Sequence, residues 1–159
     1  MKLKFTTFQK VIEILTLFML VAQILYIVIS WSDLPNKIPA HYNGAGEIDR
    51  WGSKNEILFT PIMNIFLYGL ITLVTFIPSM WNIPTKVVEE NKEAIYKSTR
   101  SLLVLMKFEI VVSFFYVSII SLKGINLGSW FTPVVIIAIF GTIIYYIVKV
   151  VKMGKVLGD

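Results

Sequence analysis

Polar and apolar residues are segregated along this chain on the scale of whole helices rather than single turns. No charged residue occurs within 14–32, 57–85 or 124–148. An α-helix rises about 1.5 Å per residue, so about 20 apolar residues cross the roughly 30 Å hydrocarbon core of a bilayer. Each run reaches or exceeds that length and predicts a membrane span. A fourth span is predicted over 101–122, where Lys107 and Glu109 leave only 110–122 uninterrupted. The pattern therefore predicts an all-α integral membrane protein, a single membrane domain over 1–159. Its four transmembrane helices are expected at 10–31, 56–79, 86–122 (membrane part 101–122) and 130–149, with an ordered extracytoplasmic loop at 32–55.

Composition agrees with this reading. Apolar residues make up 56% of the chain and mean hydropathy is +0.74, far above a soluble domain of this length. The first apolar run is longer than a signal-peptide core and no small-residue cleavage pattern precedes Trp31, so it reads as a retained helix. Cysteine is absent, which excludes disulfides, a thiolate nucleophile and Cys-based metal or iron–sulfur sites.

The net charge of +5 follows topology, with the lipid bilayer and its headgroups as partner and no nucleic acid expected. With four spans, Lys2, Lys4, Lys10, Lys86, Lys92, Lys97, Arg100, Lys149, Lys152 and Lys155 share one side, against Lys37, Arg50, Lys54 and Lys123 on the other. The positive-inside rule places both termini in the cytoplasm and the 34–54 loop outside. Trp31, Trp51 and Trp130 fall near the outer helix ends and Trp81 near an inner one, the headgroup positions such rings favour. Segment 86–100 lacks glycine and proline, so the third helix is expected to start before the membrane, aided by Glu93 and Lys97 at i,i+4. The short connection 123–129 makes the last two helices an antiparallel hairpin.

The 34–54 loop concentrates the polar chemistry and holds the sole histidine. Pro35 and Pro39 stiffen the exit from the first helix. Gly44 and Gly46 bracket a turn needing positive φ or close backbone approach, with His41, Asn43, Glu47 and Asp49 around it. Ser53 and Glu56 have the capping-box spacing before the second helix. His41, Glu47 and Asp49 are candidate ligands for a divalent metal such as zinc or manganese. The same residue types also serve to tie the loop together through its turn amides, and no cofactor is called for.

The pattern LPxxIPxHxNxxGxxDxWGSK, carried by His41, Asn43, Gly46, Asp49, Trp51, Gly52 and Lys54, resembles domain of unknown function 1648. That is the N-terminal membrane domain of the SdpI-like bacterial immunity proteins, and the resemblance extends to Pro84, Asn91 and Tyr96. It implies a multi-pass protein of the bacterial plasma membrane. In the best understood relatives it also implies protection against a secreted peptide toxin, and in some, recruitment of a transcriptional repressor. Nothing after Lys123 resembles the second membrane domain of those proteins, so the expected form is short and stand-alone.

Inside the spans, Glu13 and Lys107 are each within two turns of the cytoplasmic side and are predicted to pair. Glu109, two positions from Lys107, is expected to look into the bundle towards Gln23 or Asn64, or to stay protonated. The functional expectation is a binding protein, not an enzyme. Its outer loop would recognise an antimicrobial peptide or an envelope component, with His41, Asn43, Gly46, Asp49, Trp51 and Lys54 binding the ligand or organising the loop. The alternatives are a metal-dependent envelope enzyme using His41, Glu47 and Asp49, and a small scaffold for a membrane-protein partner.

Overall fold

The computed structural model describes residues 3–155; Lys2, counted in the charge bias, lies outside them. Four helices are long and apolar enough to cross a membrane: α1 (Thr7–Ser30), α2 (Phe59–Phe76), α3 (Glu89–Lys123) and α4 (Phe131–Lys155). The polar segment after α1 is not an irregular loop. It forms an antiparallel hairpin of β1 (Lys37–Tyr42) and β2 (Ile48–Ser53), entered and left through short 3-10 helices at Trp31–Asp33 and Lys54–Leu58.

Helix ends depart from the apolar boundaries because side chains cap them. Thr6 and Gln9 form a reciprocal capping box that starts α1 at Thr7 rather than residue 10, satisfying amides that have no intrahelical partner. Asn91 accepts from the Val88 amide at 2.9 Å and donates to Lys86 O, which delays α3 to Glu89. Pro78 opens a 3-10 turn after α2 stops at Phe76, and the Trp81 indole donates to Val74 O at 2.7 Å. α4 runs on to Lys155 with Lys152 and Lys155 in its last turn, where cations complement the helix dipole.

α3 is the spine, packing against α1, α2 and α4. At 35 residues it is about 50 Å long, so its first turns project past the hydrocarbon core. Burial is inverted relative to a soluble bundle. Gln9, Gln23, Asn64, Lys107 and Ser118 are fully buried, whereas Ile14, Phe18, Ile29 and Ile137 are exposed. Apolar residues facing out and polar ones facing in is the arrangement lipid requires, with polar side chains bonding helix to helix. This is a multi-pass membrane protein.

Two polar clusters join α1, α2 and α3. Lys107 donates to both carboxylate oxygens of Glu13 at 2.7 Å and to Thr72 Oγ1 at 2.9 Å, so the expected pair forms. Closer to the hairpin, Asn64 donates to Gln23 Oε1 at 2.6 Å, and Gln23 donates to Ser118 Oγ at 2.8 Å. Glu109 joins neither cluster, contrary to the expectation that it points towards Gln23 or Asn64. Two residues along a helix turn a side chain by about 200°. With Lys107 facing α1 and α2, Glu109 therefore faces α4, where Thr142 donates to its Oε1 at 2.6 Å.

Candidate functional site

The hairpin covers one end of the bundle, and its residues divide into those that hold it and those it presents. Isolated two-stranded hairpins are marginal in water, so docking decides whether this one forms. Ile38 is its anchor, 2% exposed and packed against Ile27 of α1 and Ile57 before α2, with Trp31, Leu34 and Leu122 around them. Burying one isoleucine contributes about 2 kcal/mol relative to leaving it in water. Ser121 of α3 donates to Pro39 O at 2.6 Å. Pro39 pairs opposite Trp51 in the ladder, as proline can on a strand with a free edge.

The turn is organised by Asn43. Its Oδ1 accepts from the Ala45 and Glu47 amides, both at 3.0 Å, and its Nδ2 donates to Glu47 Oε2 at 3.0 Å. Asn43→Ala is expected to cost about 2 kcal/mol of local hairpin stability, since two backbone donors lose their partner. Faster hydrogen exchange at Ala45 and Glu47, with α1–α4 unchanged, is the measurable result.

Gly46, but not Gly44, has positive φ, at +76°. Its carbonyl accepts from Leu127 N at 2.8 Å, and the Ile48 amide donates to Asn126 Oδ1 at 2.9 Å. Burial pushes the Tyr42 phenol up to about 12, so it stays a neutral donor to Ile125 O at 3.2 Å. The hairpin tip is thus clamped on the α3–α4 connection. Residues 125–128 carry no motif of their own and went unrecognised in the sequence; the polar Asn126 in a short connection is the one signal that could have pointed to them.

At the base, Ser53 and Glu56 form the reciprocal capping box, with Ser53 N donating to Glu56 Oε1 at 3.2 Å. Glu56 also receives Arg50 Nη1 at 2.8 Å, and Arg50 Nη2 reaches Ala40 O at 3.3 Å. Gly52 leaves the space for this: a Cβ there would overlap the Glu56 carboxyl and approach Ala40 Cβ at 2.8 Å. Lys54 Nζ lies 5.2 Å from the Trp31 ring centre, within cation–π range.

His41 and Asp49 are brought together on the surface of the hairpin, Nδ1 to Oδ1 at 2.7 Å, with both side chains well exposed. Glu47 is drawn to Asn43 instead. The three candidate metal ligands therefore do not converge, and among the described residues no group of three His, Asp or Glu side chains does. Trp51 is presented on the hairpin's surface, 53% exposed.

Between the hairpin, the start of α2 and the end of α3 lies a cavity of about 360 Å³. Its upper wall is polar, with His41, Tyr42, Arg50 and Glu56; its lower wall is Ile57, Phe59, Thr60, Val117 and Ser121. Phe59 is 63% exposed. Thr60 Oγ1 sits 2.7 Å from Ser118 Oγ, which joins the cavity floor to the buried Gln23–Asn64 cluster.

Fold and site together define a multi-pass membrane protein whose first two spans are joined by a docked β-hairpin. Residues 18–65 match the family described as domain of unknown function (DUF1648), a segment running from the middle of α1 through the hairpin into α2. Over 51 residues the chain is 35% identical to an uncharacterized protein of Archaeoglobus fulgidus, a stretch covering 32% of this chain and 28% of that protein. The chain thus matches well under a third of that relative's length. No solved structure matches.

Proposed function

We propose that this is a bacterial plasma-membrane binding protein that takes an amphipathic ligand, an antimicrobial peptide or an envelope component, in the cavity beneath the hairpin. The carrying observation is the cavity's two-sided lining: apolar Ile57, Phe59 and Val117 at the membrane, and the polar pair Arg50–Glu56 with His41 and Tyr42 above. A molecule lying in the bilayer surface with one apolar and one polar side matches that order. The hairpin faces away from the cytoplasm in this reading, supported by the excess of Lys and Arg at the opposite end. In this reading the function is recognition, and Ser53 is engaged in a cap.

Two measurements test the proposal. Because the chain has no cysteine, a single Lys37→Cys variant reports sidedness, and labelling by a membrane-impermeant maleimide in intact cells is expected. For function, deletion of the gene should raise sensitivity to secreted peptide toxins. Protection should return with the parent chain but not with Val117→Trp, which fills the cavity without touching the hairpin's hydrogen bonds. Unchanged sensitivity across a broad toxin panel overturns immunity, and full rescue by Val117→Trp overturns the cavity.

A further inference from the structure

A second cavity, of about 260 Å³, opens between α3 and α4 on a face of α3 not used by the hairpin cavity. Its walls are almost wholly apolar. At the hairpin end stands an aromatic cluster: Tyr116 stacks on Phe131 at 5.0 Å between ring centres and meets Trp130 at 5.4 Å. Two turns further along α3 is Glu109, the one charged residue lining the groove. Its Oε1 is held by Thr142, whereas Oε2 is shielded from solvent and has no hydrogen-bond partner among the described residues.

A carboxyl group set into an apolar wall with one oxygen unpartnered is costly in isolation and is relieved by a positive charge or a strong donor beside it. Aromatic faces attract cations and stack on flat apolar groups. We infer that the α3–α4 groove is a binding site for a lipophilic organic cation, an aryl-alkyl ammonium. Its nitrogen pairs with the Glu109 carboxylate, and its aromatic end packs on Tyr116, Trp130 and Phe131. The span between the two features, seven residues of helix, is about 10 Å, which fits a phenyl ring and a short alkyl chain. The groove opens to lipid, where such amphiphiles partition, so the ligand enters sideways.

The test uses the full chain in phosphatidylcholine nanodiscs and para-bromophenylbutylammonium, whose bromine quenches an adjacent indole. Saturable quenching is expected in the parent and should vanish in Trp130→Phe. Affinity should fall about tenfold or more in Glu109→Gln, which removes the charge but keeps an acceptor for Thr142. Ala138→Phe, which fills the groove but leaves both Glu109 and Thr142 in place, should abolish saturable binding and guards against a fold effect of the first variant. The neutral bromophenylbutanol should bind parent and Glu109→Gln alike. Linear, non-saturating quenching in the parent means bilayer partition and overturns the proposal; so does equal affinity for the ammonium in Glu109→Gln, or unchanged binding in Ala138→Phe.

Discussion

Lys107→Met is expected to destabilise the bundle by about 3–5 kcal/mol, the usual cost of leaving one member of a buried ion pair alone. Lys107 is fully buried and its ammonium makes three contacts, two to Glu13 and one to Thr72. Its ring-facing contact with Tyr68, 4.7 Å from the ammonium to the ring centre, adds to a site built around one cation. Methionine fills the volume but supplies no charge, so the Glu13 carboxylate is left between α1, α2 and α3 with no partner. The decisive comparison is with Lys107→Met combined with Glu13→Gln. Neutral pairs of similar volume are often as stable as the ion pair they replace, so the double variant should recover most of the loss. Thermal unfolding in detergent measures both. A single variant as stable as the parent would show that the pair contributes nothing, and a double variant no better than the single would show that packing, not charge, dominates.

Gly46→Val should detach the hairpin tip while leaving the four helices intact. Two costs combine at this position. The backbone φ of +76° is strained for a β-branched residue by about 1–3 kcal/mol. In addition, a Cβ would lie 2.5 Å from Gly128 O and 2.9 Å from Gly128 C, backbone atoms that cannot rotate away. The Leu127 and Ile48 amides, which bond to Gly46 O and Asn126 Oδ1, should then exchange much faster, and ligand binding in the hairpin cavity should weaken with them. Gly44→Ala is the control. That glycine has no positive φ and open space around it, so its replacement should change neither exchange nor stability. Equal effects at both positions would refute the docking of the tip.

Much of the site was legible because its parts are local. The Ser53–Glu56 cap, the Asn43 turn and the stiff Pro35 and Pro39 steps depend on spacing within a few residues, and the structure places each side chain in a job its type can do. What spacing could not supply was the partner across the fold. Arg50 reads as one more basic residue until the hairpin closes and sets it on Glu56. Residues 125–128 read as a plain connection until the tip lands on them. The strands themselves were hidden for the same reason: with Pro39 inside it and little alternation, β1 pairs as a strand because Ile38 reaches a cluster formed by Ile27 and Ile57, not because of its own propensity.

The sequence by itself determined that this chain crosses the membrane four times and that Lys107 needs Glu13, since span length and the cost of a lone charge in hydrocarbon are properties of short segments. The tertiary structure alone decided how each helix is turned. Lipid and protein interior are equally apolar to a leucine, so hydropathy carries little information on rotation; the buried polar contacts set it. That rotation is what sends Lys107 into the bundle and leaves Glu109 at the wall of the α3–α4 groove.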